Sequence, residues 1–544
     1  MESTDASTQA LAAPAPRASV NNKWLVTLSV TFGTLMGAID SSIVNVALPQ
    51  IRGAVGATVQ EITWATTGFV IATVMVMPLT GFLGRLFGQK RVYLACLVLF
   101  VAGSFLCGLA WNLPTLVLFR FLQGLGAGAL QPTEQAILRQ TFSREEQGTA
   151  MAIFAMAVMV GPAIGPTLGG YIVDNWHWSW IFFINVPVGI LGFFMVARFV
   201  HEDEQLRASA RKEAQLQRRH MDWSGIVLLC MGLALLQYVL EEGQADDWFQ
   251  SPLIVACSIV AGTCLIAFVI RELTAPVPAV NLRLFKDPVF ASGTLLNALV
   301  FAVLMASMFL LPVFMQELLG FTATQSGMAL MPRTLVMLVC MPFVGRLYRM
   351  VPARVLVAAG IVFAGFGAFE MSHFSLETGA RDIIRAIMLQ GVGFSLMFVP
   401  LSATALANIP RERMADATGL NSLLRQIGGS MGLAIFTTLL SRYSLQAKAA
   451  IAAHLNPERL EVASRVGLME KGLMQRGLDQ ASAHLASLQM MVGTVTRQGM
   501  VLAFDKLFVL AALMFVVVLP LIYFLKAAPS GGGSGEKPHI DVEI

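Results

Sequence analysis

The sequence predicts an all-α polytopic membrane protein of fourteen spanning helices: two related six-helix bundles with two helices inserted between them. Three observations predict it. The chain is 56% hydrophobic and only 13% charged, against about 25% charged for a soluble domain. Apolar runs of about 18 residues or more follow one another, each long enough to cross a bilayer. The chain also repeats itself at an offset of about 265 residues.

Taken in order, residues 1–22 are polar and Ala/Pro-rich, with Glu2 and Asp5 and no basic n-region. They read as a disordered cytoplasmic arm, not a cleavable signal peptide. Residues 23–200 hold six apolar segments, about 24–48, 60–80, 91–110, 113–134, 148–172 and 178–198. Residues 201–287 read as a cytoplasmic linker and two inserted spans, 223–241 and 252–271. Residues 288–525 hold six more: 288–318, 324–348, 353–372, 380–408, 413–442 and 501–525. Within this last block, 443–500 reads as a long polar outer loop, although runs such as LQAKAAIAAHLNPERLEVASRV have an amphipathic helical pattern. A connection of that length is functional or disordered. Residues 526–544 read as a flexible cytoplasmic tail.

Orientation follows from the cations of the short loops, which concentrate on the cytoplasmic side. Alternate loops carry Arg85, Lys90 and Arg91; Arg139 and Arg144; a cluster from Arg207 to Arg219; Arg283 and Lys286; Arg346, Arg349 and Arg354; and Arg411 and Arg413. The opposite loops carry acids such as Asp174, Glu241, Glu242, Asp246 and Asp247. Both termini are therefore expected inside. All eight tryptophans fall near proposed helix ends, where an interfacial belt would place them. The six cysteines lie in or near apolar runs without metal-ligand or disulfide spacing, and read as small buried hydrophobes.

The repeat is carried by four pairs. MPLTGFLGRLFGQKR from Met77 matches MPFVGRLYRMVPAR from Met341, and LQGLG from Leu122 matches LQGVG from Leu389. Arg144-Glu145 matches Arg411-Glu412, and Gly161/Gly165 matches Gly428/Gly432. Parallel six-helix repeats are typical of secondary transporters, whose substrate site lies at the repeat interface.

Two of the charges that interrupt apolar segments are especially informative. Asp40 lies in the first and Arg120 in the fourth. A charge in the hydrocarbon core costs roughly 2.5 kcal/mol or more, so such residues pair or line a water path. At 1.5 Å per residue, Asp40 is about 24 Å from one face and Arg120 about 10 Å from the other. In a core of roughly 30 Å they share one height and can pair. The pair could couple transport to protonation of Asp40, or simply fix two helices.

GPAIGPTLGG contains Gly161, Pro162, Gly165, Pro166, Gly169 and Gly170. Small residues allow close helix approach, and the prolines are expected to kink the helix. Gly81, Arg85, Gly88, Lys90 and Arg91 form a two-glycine, cation-rich turn between segments 2 and 3, a candidate gating loop. Asn45, Gln123, Glu134, Gln390, Asn421 and Arg425 are candidates for a substrate cavity, Glu134 for attracting cationic solutes. Arg333 and Arg385 are intramembrane cations without an assigned role.

These residues resemble the major facilitator superfamily, and within it the fourteen-helix drug:proton antiporters of the EmrB/QacA type, most of all EmrB-like multidrug efflux permease subunits. The likeness runs from about residue 22 to 525. AIDSSIVNVALPQI resembles the helix 1 signature, whose acid, here Asp40, carries the proton. LFRFLQGLGAG resembles the helix 4 motif, whose arginine, here Arg120, is implicated in proton transfer. GPAIGPTLGG resembles the antiporter motif. NWHWSWIFFINVPVG and GLNSLLRQIGGSMG are also similar to the family. One departure stands out: the helix 2–3 motif usually has an acid where this chain has Arg85, although the EmrB-like branch often lacks it. The resemblance implies the major facilitator fold and proton-coupled export of amphipathic or hydrophobic drugs and related toxic compounds across an inner membrane, by alternating access. It implies the proton gradient as driving force, with no cofactor and no metal. It also implies a periplasmic adaptor and an outer-membrane channel as partners.

An exporter dedicated to one native metabolite or siderophore is the alternative reading. A channel would need neither the antiporter motif nor the buried acid. No nucleotide-binding loop, metal cluster or nucleophile motif points to an enzyme or an ATP-driven pump.

Overall fold

The computed structural model describes residues 20–201, 221–275, 277–455 and 459–525. Most of the expected N-terminal arm, the basic stretch 202–220 and the tail 526–544 lie outside the described residues.

Fourteen helices among the described residues are long and apolar enough to span a membrane. The first six are α1 (Lys23–Val55), α2 (Val59–Phe87), α3 (Gln89–Gly108), α4 (Leu113–Thr141), α5 (Gln147–Asn175) and α6 (Trp180–Phe199). Then come α7 (Trp223–Glu242) and α8 (Pro252–Thr274). The last six are α9 (Pro288–Leu318), α10 (Gln325–Leu347), α11 (Ala353–Met371), α12 (Ala380–Ala405), α13 (Arg411–Ala453) and α14 (Gln480–Tyr523). Their ends carry local signals. Asn112 closes a capping box with Thr115 at the start of α4, and Thr322 does so with Gln325 before α10. Asp287 caps α9, whose first residue is Pro288. Trp24, Trp64, Trp111, Trp176, Trp180 and Trp223 are exposed near helix ends, whereas Trp178 is buried.

Two bundles share one packing scheme. In the first, α1 packs on α5, α2 on α4, and α3 on α4 and α6. In the second, α9 packs on α13, α10 on α12, and α11 on α12 and α14. The repeat is visible atom by atom. Gly124 lies against the Phe69 carbonyl and Ala72, and Gly391 against the Arg333 carbonyl and Val336. Gly126 meets Cys96 and Phe100, and Gly393 meets Gly360 and Ala364. Any Cβ at these glycines would enter the neighbouring helix, so the small residues set the interhelical distance. α7 bridges the halves. Thr67 donates to Glu242 at 2.9 Å, and Gln237 donates to Ser430 at 2.7 Å.

The segment expected as a loop over 443–500 is largely helix. α13 runs on to Ala453, a short helix covers Leu460–Met474, and α14 begins at Gln480. The amphipathic pattern there partly extends the two spans and partly forms the separate short helix between them. The 43 and 44 residues of α13 and α14 measure about 65 Å each at 1.5 Å per residue, twice a core of roughly 30 Å. Arg497 donates to the Leu318 carbonyl at 2.7 Å, tying the projecting part of α14 to the end of α9.

The bundles meet tightly at the face that bears the basic loops. Arg85 of α2 forms an ion pair with Asp416 of α13 and donates to the Ala279 carbonyl. Arg139 of α4 donates to the Ala403 carbonyl of α12, and Gln140 donates to the Arg411 carbonyl at 3.2 Å. Gly148 of α5 and Gly345 of α10 approach backbone to backbone. Gly81 leaves room for Asp416, whose Cα would lie 2.8 Å from a Cβ there. The carboxylate that pairs with Arg85 thus comes from α13, in the other bundle.

Removing one member of a buried ion pair costs roughly 3–5 kcal/mol, enough to shift a closed–open ratio on the order of a hundredfold or more. Arg85→Asp and Asp416→Arg should each open this face and lower transport. The double exchange should restore a substantial part of both. Labelling of a cysteine at Ala403, buried behind the contact, reports the opening; equal labelling of the single and double variants would show that the pair does not hold the face shut.

Candidate functional site

Asp40 and Arg120 meet in the interior of the first bundle, each 1% exposed. Arg120 Nη1 donates to Asp40 Oδ2 at 2.6 Å. Asp40 Oδ1 accepts from Gln123 Nε2 and from Asn185 Nδ2, both at 2.9 Å. The carboxylate therefore has three donors, from α4 and α6. Asn185 in turn donates to Ser104 Oγ at 3.0 Å, and Ser104 donates to the Phe182 carbonyl. Arg120 is held independently of the acid. Its Nε donates to the Ala65 carbonyl at 3.0 Å, Nη1 also reaches Gln123 Oε1 at 2.7 Å, and its guanidinium lies 4.2 Å from the centroid of the Phe69 ring. A backbone carbonyl, an amide oxygen and an aromatic ring thus contact the guanidinium besides the acid.

The glycine-rich face of α5 is pressed onto α1 on either side of Asp40. A Cβ at Gly161 would collide with the Ala38 carbonyl, and one at Gly165 would lie 2.5 Å from Ser42 Cβ. At Gly169 it would lie 3.2 Å from the Ile43 carbonyl oxygen, while Gly170 faces open space. Helix continues through this stretch; the side chain of Pro162 lies outside the described residues, and Pro166 is half-buried. In the second half Gly428 and Gly432 pack in the same way on Ala298 and Ala302 of α9.

In the turn after α2, Gly88 adopts φ +89°, a conformation that favours glycine, and lets α3 start at once. Lys90 donates to the Ala197 carbonyl at 2.7 Å, and Arg91 is exposed.

The six candidates for one substrate cavity are spread over several places. Gln123 belongs to the Asp40 cluster. Gln390 accepts from Ser307 at 2.9 Å, and Arg333 Nη2 donates to the same hydroxyl at 3.0 Å. Asn421 accepts from Asn297 inside the second bundle. Asn45 is exposed, and Glu134 is fully buried, accepting from Thr31 at 3.1 Å. Arg425 alone joins the bundles: its Nη2 donates to Gln131 of α4 at 2.8 Å. Arg385 lies near an end of α12, exposed and paired with Glu370 at 3.2 Å.

Sequence reasoning missed Asn185, Ser104, Gln131 and Asp416. Asn185 is an amide inside the apolar string FFINVPVG, and Asp416 an acid in the first turn of α13; a polar side chain in such a place is the signal available.

Among the described residues, fourteen spanning helices form two similarly packed bundles, with the Asp40–Arg120 pair buried inside the first. Residues 30–433 match the Major Facilitator Superfamily. The chain belongs to the major facilitator superfamily. It is 33% identical to the fatty acid resistance protein FarB of Neisseria gonorrhoeae, over 94% of this chain and 97% of that protein. It is 34% identical to the multidrug export protein EmrB of Haemophilus influenzae, over 92% and 95% of the two chains. In fold it is similar to the proton:xylose symporter XylE, with a TM-score of 0.59 at 12% identity, over 92% of this chain and 97% of that one. This transporter is thus a member of the superfamily along nearly its whole length.

The α1–α5 contact gives a graded test. Gly161→Ala and Gly165→Leu should lower transport at least tenfold at normal membrane insertion, because a Cβ at either position enters α1 beside Asp40. Gly170→Ala, in open space, should leave transport within about twofold of wild type. Equal effects at positions 161 and 170 would remove the close approach as the reason for this motif.

Proposed function

We propose that this chain is a proton-driven antiporter that exports amphipathic or hydrophobic drugs and related toxic compounds across the inner membrane by alternating access. The observation that carries the proposal is the Asp40 cluster, a buried acid whose counter-ion is held by other partners, against a helix that packs glycine on α1. Family membership and relatives named for multidrug export and fatty acid resistance support the substrate class. No cofactor is needed; the proton gradient supplies the work.

With the basic loops inside, the tight face is cytoplasmic, both termini are cytoplasmic, and the arrangement described corresponds to a carrier shut toward the cytoplasm. A proton arriving from outside protonates Asp40 and frees Arg120 to its carbonyl, amide and ring partners. Reopening inward releases the proton down its gradient. Export is obligatorily coupled if only one of substrate and proton is carried in each direction.

In inside-out vesicles, uphill accumulation of a fluorescent dye should follow a proton gradient and collapse with an uncoupler. Asp40→Asn, which cannot cycle its charge, should abolish accumulation with insertion intact. Uphill dye movement by this variant would overturn the coupling role.

The projecting helices of α13 and α14, with the short helix Leu460–Met474, are the proposed docking surface for a periplasmic adaptor that passes substrate to an outer-membrane channel. Leu445, Leu460, Leu468 and Leu485 are exposed on this projection, beyond the reach of the hydrocarbon core. Gly499 packs on the backbone of Lys448, so in an antiparallel pair Ala453 lies opposite about Thr494. Replacing 454–493 with a short Gly/Ser linker should keep vesicle transport and remove drug resistance in whole cells. Cells that stay fully resistant would show the projection to be dispensable.

A further inference from the structure

Arg425 is the one cationic side chain that hydrogen-bonds across the middle of the two bundles among the described residues. It lies about a dozen residues into α13, so roughly 18 Å from the basic face and near mid-membrane. It is 3% exposed. Its surroundings were built by the local sequence. Gly429, one turn further along α13, lets Phe301 of α9 lie close, 3.0 Å from a would-be Cβ. Phe301 then flanks the guanidinium at 5.6 Å, with Phe154 of α5 and Phe398 of α12 each at 5.7 Å. The rings come from both bundles.

What the site lacks is an anion. No carboxylate among the described residues lies within ion-pair distance of Arg425, and Nη1 is buried without any hydrogen-bond partner. Its single hydrogen bond is to the neutral amide of Gln131. Arg120, by contrast, has Asp40 as well as neutral partners. Aromatic faces attract a cation, but they offer no acceptor for an N–H, and a buried cation without an acceptor is the costly case.

We propose that Arg425 receives the anionic head group of the transported compound, so that the substrates include amphiphiles with a single carboxylate-type charge and an apolar body. Nη1 is already free, and displacing Gln131 gives the planar two-donor fork that fits a carboxylate. Phe154, Phe301 and Phe398 then cover the adjoining apolar part. The same displacement breaks a bond between the bundles, which links head-group binding to their separation. The inference rests on the exporter reading, because it places substrate at the interface of the repeats, where such carriers bind it.

The experiment measures binding to the full chain in lipid nanodiscs, without a proton gradient and against empty discs. The probes are dodecanoate and dodecyltrimethylammonium, which share a tail and differ in head charge. Wild type should bind dodecanoate at least tenfold more tightly than the ammonium compound. Arg425→Gln should lose at least tenfold for dodecanoate and little for the ammonium; Arg425→Lys should retain part of the preference. Gln131→Ala, which removes only the competing amide, should tighten dodecanoate severalfold, and it keeps the test open should Arg425→Gln not fold. Equal binding of the two probes by wild type, dodecanoate binding unchanged in Arg425→Gln, or no change in Gln131→Ala would each overturn the assignment. Dye accumulation by wild-type vesicles is scored separately. Intact accumulation with a failed binding assay removes the head-group site and leaves the exporter standing; the reverse result removes the exporter alone.

Discussion

The structure is organised around an ion pair in a place where ions are expensive. Taking a carboxylate and a guanidinium out of water costs several kcal/mol each, and their attraction offsets that only with near-ideal geometry and further hydrogen bonds. Asp40 and Arg120 meet those terms through Gln123, Asn185 and the Ala65 carbonyl. Satisfying them brings α1, α2, α4 and α6 to one point, and Ser104 adds α3. The polar cluster thus fixes the register of five helices, which apolar packing in lipid would leave loosely specified because tails and side chains are equally apolar.

Glycine does the complementary work. Without a hydrophobic force between helices, close packing depends on small residues, here Gly161 and Gly165 against α1 and their counterparts Gly428 and Gly432 against α9. The seam on α1 adjoins Asp40 on both sides. Any movement of α5 therefore acts directly on the backbone that carries the acid.

Much of this was legible in the sequence because membrane sequences are constrained at the backbone. Every polar backbone group must be satisfied within the segment, so apolar length alone predicts helix. Depth counting from Trp24 and Leu113 was enough to place Asp40 level with Arg120. The amphipathic string from Leu445 was less readable: the same alternation fits a separate helix in a loop or a span that simply continues, and the structure uses its first part to continue α13 and its last part in the short helix Leu460–Met474. Contacts between distant segments were illegible. Nothing in a linear reading pairs Arg85 with Asp416, 331 positions away, and the candidate polar side chains could be recognised as buried without any indication of which bundle, or which partner, would take them.

The two halves, though built on one repeat, have diverged in charge at equivalent points. Phe69, whose ring faces Arg120 in the first half, occupies the place that Arg333 takes in the second, since Gly124 packs on one carbonyl and Gly391 on the other. Gln123 serves a carboxylate, whereas Gln390 serves the hydroxyl of Ser307, which Arg333 also engages. The first half buries Asp40 and Glu134 together with Arg120 and Arg139, whereas the second buries Arg333 and Arg425 with no acid within ion-pair distance among the described residues, its buried Asp416 being paired across the interface with Arg85. One packing scheme thus carries two different sets of buried charge, since the glycine contacts that set the helix spacing recur in both halves while the charged side chains beside them do not.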